Sequence, residues 1–332
     1  MEQGALSHAH RVQHHLHTLR EHLNQRILGQ EALVERLLIA LLADGHLLVE
    51  GAPGLAKTRA VKELAAGVEG SFHRIQFTPD LLPGDLTGTD IFHPEDGSFV
   101  FQKGPIFHNM VLADEINRAP AKVQSALLEG MAERQVTIGS KTYPLPELFL
   151  VMATQNPIEQ EGTYPLPEAQ LDRFLMFVKI GYPDAMVEHD ILALARLEAR
   201  NETADNLKPV ISPLPQRELL EARQLVLDVH MSDVLQNYLV KLVIATRNPG
   251  PWNASLARWL RFGASPRGTI ALDRCARARA WLAGREYVTP EDIHAIAHDV
   301  LRHRLLLTFE AEAEGVSADA CIDTLLASVG AP

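Results

Sequence analysis

The segment from Gly51 to Thr58 restricts what this chain can fold into more than any other part of the sequence. It reads Gly-Ala-Pro-Gly-Leu-Ala-Lys-Thr, follows the short apolar run at 46–50 and precedes a helical stretch. Backbone N–H groups in a glycine-rich turn, the positive end of the next helix and Lys57 can together hold phosphate groups. The order strand, turn, helix therefore predicts a phosphate-binding βα unit, although Ala56 replaces the second glycine of the usual pattern. The Thr58 hydroxyl is suited to complete a magnesium shell.

Two other apolar runs end in polar side chains. The run at 110–113 is followed by Asp114 and Glu115, and the run at 149–154 leads to Asn156. Ligands of open α/β sheets bind at the edge where the strands end. We therefore predict that Asp114 holds Mg²⁺ through water and that Glu115 polarises an attacking water. Asn156 could orient that water or contact the γ-phosphate, although Asn-Pro is also an ordinary turn signal.

The arrangement of apolar runs predicts an α/β fold. Five short runs alternate with helical stretches, which is typical of a mainly parallel five-stranded sheet covered on both faces. These runs lie at 46–50, 72–77, 110–113, 149–154 and 177–180. An amphipathic helix is expected at 6–26, and turn signals predict hairpins at 91–101 and 135–145.

After about residue 183 the strand patterns stop and only helical patterns follow. We predict helices at 185–201, 216–227, 234–247, 269–283 and 290–302. The polar, proline-containing stretch at 201–215 is the best candidate for a linker. The sequence therefore predicts a core domain at 1–205, including the N-terminal helix, and an all-α domain at 206–332.

Composition excludes several classes of protein. The 332 residues include 31 Lys and Arg against 42 Asp and Glu, a net charge of −11, which argues against a dedicated nucleic-acid binder. Two cysteines cannot build a disulfide framework. We find no apolar run long enough to span a membrane and no leader pattern, so we expect a cytoplasmic protein.

With these motifs assembled, the chain resembles the MoxR family of AAA+ ATPases, within the helix-2-insert clade. The resemblance extends from about Ile27 to Leu305. It is carried most specifically by the strings at 51–58, 112–120, 124–129, 153–157, 167–174 and 263–267. It implies a P-loop AAA+ core followed by an all-α lid, and the family often has alanine where this chain has Ala56.

The resemblance also implies a role for each candidate residue. Asp114 and Glu115 match the Walker B pair, and Asn156 matches sensor 1. Arg173 matches the arginine finger that acts in trans on the neighbouring subunit, and Arg267 matches sensor 2. Binding of ATP with Mg²⁺ is assigned to Ile27, near the adenine, and to the Walker A residues Gly51, Ala52, Pro53, Gly54, Leu55, Ala56, Lys57 and Thr58.

Family membership further implies a ring, expected to be a hexamer, that remodels or activates a protein partner. The usual partners carry a von Willebrand factor A (VWA) domain, which this chain does not contain. The two hairpins make Phe92, Phe99 and Phe101 candidate pore or partner contacts, with packing inside the hairpins as the alternative. Two other functions stay open: an ATP-gated assembly scaffold with negligible turnover, and a magnesium-chelatase-like subunit for metal insertion.

Replacing the predicted arginine finger tests the shared site. We expect Arg173→Ala to leave ATP binding intact and to lower hydrolysis by roughly 10³-fold, because developing phosphoryl charge loses its cation. Steady-state ATP hydrolysis by the assembled ring measures the effect. A variant ring with wild-type turnover would contradict the assignment.

Overall fold

A computed structural model describes residues 2–95, 97–157, 162–201 and 212–332. The chain divides into two compact units. The first unit is drawn from residues 1–38, 48–165 and 178–221, and the second from residues 39–47, 166–177 and 222–332.

The helices and strands have the following bounds. The helices are α1 (Glu2–Arg26), α2 (Glu31–Leu42), α3 (Lys57–Gly67), α4 (Pro83–Thr87), α5 (Ala121–Glu133), α6 (Glu168–Leu171), α7 (Ala185–Asn201), α8 (Gln216–Leu227), α9 (Asp233–Arg247), α10 (Ala254–Trp259), α11 (Pro266–Leu282), α12 (Pro290–Leu301), α13 (Phe309–Ala313) and α14 (Ala318–Val329). The strands are β1 (Leu47–Glu50), β2 (Phe72–Gln76), β3 (Gly88–His93), β4 (Ser98–Lys103), β5 (Met110–Asp114), β6 (Gln135–Ile138), β7 (Lys141–Pro144), β8 (Leu150–Gln155), β9 (Met176–Lys179), β10 (Leu260–Phe262) and β11 (Leu306–Leu307).

The central sheet has the strand order β2-β5-β8-β1-β9. β2 pairs in parallel with β5, and β5 pairs in parallel with β8. The three inner strands, β5, β8 and β1, are buried along nearly their whole length, as expected when helices cover both faces of a sheet. Each of the five strands lies within one residue of its predicted bounds, so the predicted α/β sheet is confirmed.

Helix α1 contributes a fully buried apolar stripe to the first unit. Because the stripe repeats every three or four residues, it lies on one face of the helix, as the sequence pattern predicted. The end of α3 approaches this stripe so closely that a Cβ on Gly67 would lie 2.2 Å from Leu19 Cδ1. Glycine at that position therefore permits the contact. The stripe consists of Leu16, Leu19 and Leu23 on α1 and is continued by Ile27 just after the helix ends.

Both predicted hairpins are present in the first unit. β3 pairs antiparallel with β4, which places Phe92 opposite Phe99. β6 pairs antiparallel with β7, which places Ile138 opposite Lys141. The turn of the second hairpin includes Gly139 with φ of +58°, a conformation that glycine adopts without strain.

The second unit is mostly helical but contains a strand pair that the sequence analysis did not predict. β10 pairs antiparallel with β11, and Leu260 lies opposite Leu307. Strands of three and two residues are too short to produce a recognisable alternation of apolar and polar residues. The expectation that strands stop after residue 183 is therefore wrong at this ribbon, while the predominantly helical character is confirmed.

The predicted linker at 201–215 falls only partly within the described residues. Positions 202–211, which include the predicted domain boundary between 205 and 206, lie outside them. Leu214 forms a parallel bridge with Val68, and its N–H donates to the Gly67 carbonyl at 2.9 Å. Backbone hydrogen bonds therefore fix this end of the stretch to the first unit. Across the described part of the chain, we find no helix long and apolar enough to cross a bilayer.

A buried carboxylate ties together the helices of the second unit. Asp292 is fully buried, and its Oδ1 accepts hydrogen bonds of 2.6 Å from both Arg279 and Arg285. Its Oδ2 accepts from Arg285 at 2.7 Å and from the backbone N–H of Thr289 at 2.9 Å, which caps α12. Burial by itself would raise the pKa of Asp292, but the hydrogen bonds from these three residues outweigh it and hold the pKa below its ordinary value.

We expect Asp292→Asn to lower the free energy of unfolding by about 3 kcal/mol at neutral pH, because two arginines lose their buried counter-charge. A depressed folded-state pKa stabilises the fold above the unfolded-state pKa, and this contribution is lost as the pH falls through the folded-state pKa. The difference between wild type and variant should therefore shrink below about pH 4.

Urea unfolding across a pH series measures this difference. The exposed carboxylate of Asp323 provides the control, and Asp323→Asn should cost less than about 1 kcal/mol. A wild-type-to-Asp292→Asn difference that stays constant or grows under acid conditions would refute the expectation.

Candidate functional site

The loop between β1 and α3 combines two glycine requirements with one strained alanine. A Cβ on Gly51 would lie 2.3 Å from Ile180 Cγ1, so a side chain is excluded there by packing. Gly54 and Ala56 both have left-handed φ values, +85° and +54°. Glycine adopts this conformation without strain, whereas the left-handed conformation of alanine is less favourable by about 1 kcal/mol. The chain thereby turns sharply into α3, whose first N–H groups have no partners within the helix.

Lys57 begins α3 and folds back over the loop. Its Nζ donates a hydrogen bond of 2.7 Å to the Gly51 carbonyl. Burial lowers the pKa of Lys57, and the carboxylates of Asp114 and Glu115 oppose that shift. The ammonium group therefore lies between a loop carbonyl and two acids, where phosphate oxygens could replace the carbonyl as its acceptor.

A single hydroxyl from the neighbouring strand contacts the side chain of Asp114 and the backbone of Glu115. Thr154 is fully buried, and its Oγ1 donates to Asp114 Oδ1 at 2.6 Å. Thr154 Oγ1 also accepts a hydrogen bond from the backbone N–H of Glu115 at 2.9 Å. Glu115 has φ of +57°, so the chain leaves the strand direction there and the two acidic side chains diverge. Sequence analysis did not identify Thr154, whose role depends on the register of β5 against β8.

Three more polar residues that sequence analysis missed also engage this acidic pair. Arg74, on β2, donates to Asp114 Oδ2 at 2.6 and 3.0 Å. Gln76, two residues further on the same strand, donates to Glu115 Oε2 at 3.0 Å, as does Arg118. Arg74 and Gln76 alternate along β2, where no sequence motif marks them. Arg118 lies within the family string at 112–120, but the sequence analysis gave it no role.

The loop, the acidic pair and Asn156 line one cleft of about 360 Å³. Of the predicted nucleotide-binding residues, those from Pro53 to Thr58 line the cleft. Gly51 and Ala52, at the start of the loop, are buried and do not line it. Asn156 is 7% exposed and reaches the cleft from the end of β8. Oxygen ligands of the kind that Mg²⁺ prefers are available there, from Thr58 and Asp114.

A second cavity of about 250 Å³ shares the loop wall from Pro53 to Ala56 and has a largely apolar opposite side. Leu28 lines it from the segment after α1, and Ile191 and Leu194 line it from α7. The predicted adenine contact Ile27 is instead fully buried in the core, so its neighbour Leu28 forms the wall. A polar cleft beside an apolar pocket suits a ligand with a polyphosphate at one end and a planar base at the other.

An ion-pair cluster holds α7 at the rim of the second cavity. Glu198 accepts hydrogen bonds from Arg59 Nη1 at 3.1 Å, from Arg59 Nη2 and from Arg26 Nη1 at 3.3 Å. The hydrogen bond from Arg59 is the main cause of the lowered pKa of Glu198. On the other side of the cavity, Gln30 donates to the Gly181 carbonyl at 3.1 Å.

Comparison with known proteins now identifies the family. The description "ATPase family associated with various cellular activities (AAA)" matches residues 46–176, and an AAA lid domain matches residues 256–325. The chain is 47% identical over 307 residues to Chaperone MoxR1 of Mycobacterium tuberculosis, covering 92% of this chain and 79% of that protein. This chain belongs to the MoxR family of AAA+ ATPases. Protein MoxR of Paracoccus denitrificans is 37% identical over 325 residues, covering 93% of this chain and 94% of that protein.

A solved structure agrees with this assignment. A chain of a candidate ATPase from Cytophaga hutchinsonii superposes with a TM-score of 0.90 at 45% identity, covering 99% of this chain and 98% of that one. The predicted P-loop AAA+ core followed by a helical lid is therefore confirmed for this MoxR-family protein, and the lid departs from the predicted all-α domain only in the β10–β11 ribbon.

Two further predicted residues, Arg173 and Arg267, belong to the second unit, and the hairpin phenylalanines belong to the first. In the second unit, Arg173 is half-buried just after α6, and Arg267 is the second residue of α11, with its Nη1 3.9 Å from Asp172 Oδ2. In the first unit, Phe92 and Phe99 are 51% and 66% exposed, and their ring centroids are 5.1 Å apart.

Phe101 differs from the other two phenylalanines of the hairpin. Its ring is half-buried and stacks on Tyr143 of the second hairpin, with centroids 4.1 Å apart. It also meets Phe107 edge-on at 5.8 Å. Phe101 therefore packs the two hairpins together, which leaves Phe92 and Phe99 as the hairpin phenylalanines open to a partner.

We expect Thr154→Val to lower the free energy of unfolding by about 1–3 kcal/mol, because Asp114 loses a donor and the Glu115 N–H is left unpaired. Since both acids lose their orientation, ATP hydrolysis should fall as well. Thr154→Ser keeps the hydroxyl and should retain most of both quantities. Urea unfolding and steady-state hydrolysis measure them, and equal behaviour of the two variants would disprove the role of the hydroxyl.

Proposed function

We propose that this MoxR-family chain binds ATP with Mg²⁺ and hydrolyses it to ADP and phosphate. The convergence of Lys57, Thr58, Asp114, Glu115 and Asn156 on one cleft is the observation that supports this proposal. The adjoining apolar pocket gives the base a place to bind. The expected magnesium ligands are the Thr58 hydroxyl and, through water, Asp114, and the bound ion would supply charge that offsets the phosphate oxygens.

Each side chain of the cleft has a distinct task in this scheme. Lys57 and the N–H groups at the start of α3 bind phosphate oxygens. Glu115 accepts a proton from the attacking water, and Asn156 orients that water or the γ-phosphate. Glu115 Oε2 already accepts two hydrogen bonds, from Gln76 and Arg118, which hold this carboxylate in place in the cleft.

The wider proposal follows from family membership. We assign Arg173 as the finger that acts on a neighbouring subunit and Arg267 as the sensor-2 residue of the lid, with residues 1–205 and 206–332 as core and lid domains. A site completed in trans requires a ring, proposed to be a hexamer, in the cytoplasm. Its work would be remodelling or activation of a protein client, proposed to carry a VWA domain, through exposed side chains such as Phe92 and Phe99.

Hydrolysis measured across a protein-concentration series, beside light scattering, tests the proposal. Specific activity should rise as rings form and should fall by at least about 10²-fold in Glu115→Gln, because the water loses its base. Glu133→Gln, at an exposed glutamate of α5, is the matched control and should hydrolyse ATP normally.

Two results would contradict the proposal. Turnover independent of ring formation would remove the shared site. Tight ATP binding and assembly without turnover, even with the protein partner present, would favour the scaffold function instead.

A further inference from the structure

A buried arginine holds the turn that carries Arg173. The side chain of Arg304 is 2% exposed, and its Nε donates to Asp172 Oδ1 at 2.9 Å. Its other N–H groups donate to the backbone carbonyls of Asp172 at 3.3 Å, Phe174 at 2.7 Å and Leu175 at 3.2 Å, and to that of Val300. The carbonyls before and after Arg173 are therefore both fixed by one guanidinium group.

His303 adds a second donor to the same turn. Its Nε2 lies 3.2 Å from the Phe174 carbonyl, and the residue is buried. Burial lowers the pKa of His303, and the positive charge of Arg304 lowers it further. The ring is thus neutral, with Nε2–H as the donor. The Phe174 carbonyl consequently accepts from two buried side chains, which leaves the backbone after Arg173 little freedom.

The other oxygen of Asp172 reaches the start of α11. Ser265 Oγ donates to Asp172 Oδ2 at 2.8 Å and accepts from the backbone N–H of Arg267 at 3.1 Å, as the N-cap of α11. The Arg267 guanidinium lies 3.9 Å from the same carboxylate oxygen. Asp172 is thus hydrogen-bonded on one side to the Arg304 clamp and on the other to Ser265, the N-cap of the helix that contains Arg267.

We propose that Asp172, clamped by Arg304, is a positioning residue that sets the Arg173 turn for use on the neighbouring subunit and links it to the start of α11. The inference rests on the proposed function, which assigns Arg173 as the finger and Arg267 as sensor 2. A long arginine side chain reaches a phosphate reliably only from a fixed backbone, and a misplacement of about 1 Å can cost roughly 10²-fold in rate.

The buried ion pair supplies that rigidity. A change in the position of the Arg267 helix therefore moves the Arg173 turn with it, because Ser265 and Asp172 connect them directly. Arg267 and Arg173 belong to the same subunit, and the proposed function has Arg267 act at the ATP site of that subunit and Arg173 at the site of the next one. The link through Ser265 and Asp172 makes the two arginines change position together.

A purely structural role would look different, and the second unit offers a matched control. Asp292 is likewise paired with arginines, Arg279 and Arg285, and is fully buried, whereas the Asp172 side chain is 19% exposed. In the described structure no hydrogen bond or ion pair joins Asp292 to the Arg173 turn. Asp292→Asn removes the same charge in the same way as Asp172→Asn. Ser265→Ala removes one of the hydrogen bonds to Asp172 and keeps the Arg304 pair, so it serves as a milder second variant.

The experiment uses the full chain and compares three quantities: thermal unfolding, affinity for a fluorescent ATP analogue, and steady-state hydrolysis. Asp172→Asn should lower kcat roughly 10- to 100-fold, with KM for ATP within about twofold of wild type. Ser265→Ala should lower kcat less. Asp292→Asn should lower the unfolding temperature without a comparable loss of kcat.

Mixed rings then separate action in trans from action in cis. Glu115→Gln subunits have no base of their own but carry an intact Arg173 turn. When they are mixed with Asp172→Asn subunits, hydrolysis per Asp172→Asn subunit should rise severalfold, as it should when they are mixed with Arg173→Ala subunits. The two recoveries share one cause, because in both mixtures the Glu115→Gln neighbour supplies the finger.

Each other outcome has one meaning. Wild-type kcat in Asp172→Asn would overturn the inference, and so would a loss that Glu115→Gln subunits fail to restore while they restore Arg173→Ala. Wild-type turnover in Arg173→Ala would instead contradict the finger assignment in the proposed function, and the positioning role would fall with it. Loss of fluorescent-nucleotide binding in Asp172→Asn would also overturn the inference, since a residue that only positions the finger leaves the affinity for ATP unchanged.

Discussion

The parallel pairing of β5 with β8 is the constraint on which the candidate site depends. The register places Ala113 beside Ala153, so the residues that follow them, Asp114 and Thr154, meet at the same edge of the sheet. The Thr154 hydroxyl can then contact both residues of the pair, through the carboxylate of Asp114 and the backbone N–H of Glu115. A shift of one residue would turn Thr154 to the other face of the sheet and separate it from the carboxylate. The register of the two strands therefore determines which side chains meet in the cleft.

The same edge explains why the loop tolerates a strained residue. Gly51 is packed against Ile180 at the end of the neighbouring strand, and this contact fixes where the loop begins. α3 fixes where it ends, so Ala56 must bridge the two with left-handed φ. Strain of this kind persists only where the surrounding structure determines the backbone. The departure from the glycine pattern is thus accommodated by packing.

Much of the fold and of the cleft could be predicted from the sequence, because the signals were local. Buried parallel strands appear as continuous apolar runs, and the phosphate loop, Asp114, Glu115 and Asn156 follow such runs directly. What escaped prediction depends on contacts between distant parts of the chain. The donors Arg74 and Thr154 act across strand pairs, and the β10–β11 ribbon is too short to leave a pattern.

The stacking of Phe101 on Tyr143 has a mechanical consequence. It fastens the first hairpin to the second at a point away from the tip, where Phe92 and Phe99 are exposed. A load applied to the tip is therefore shared between two β-ribbons. Along the chain, β6 follows directly on α5, and α5 follows Asp114 and Glu115, so the second hairpin is joined to the acidic pair through one helix. The two hairpins are thus mechanically coupled through the stack of Phe101 on Tyr143.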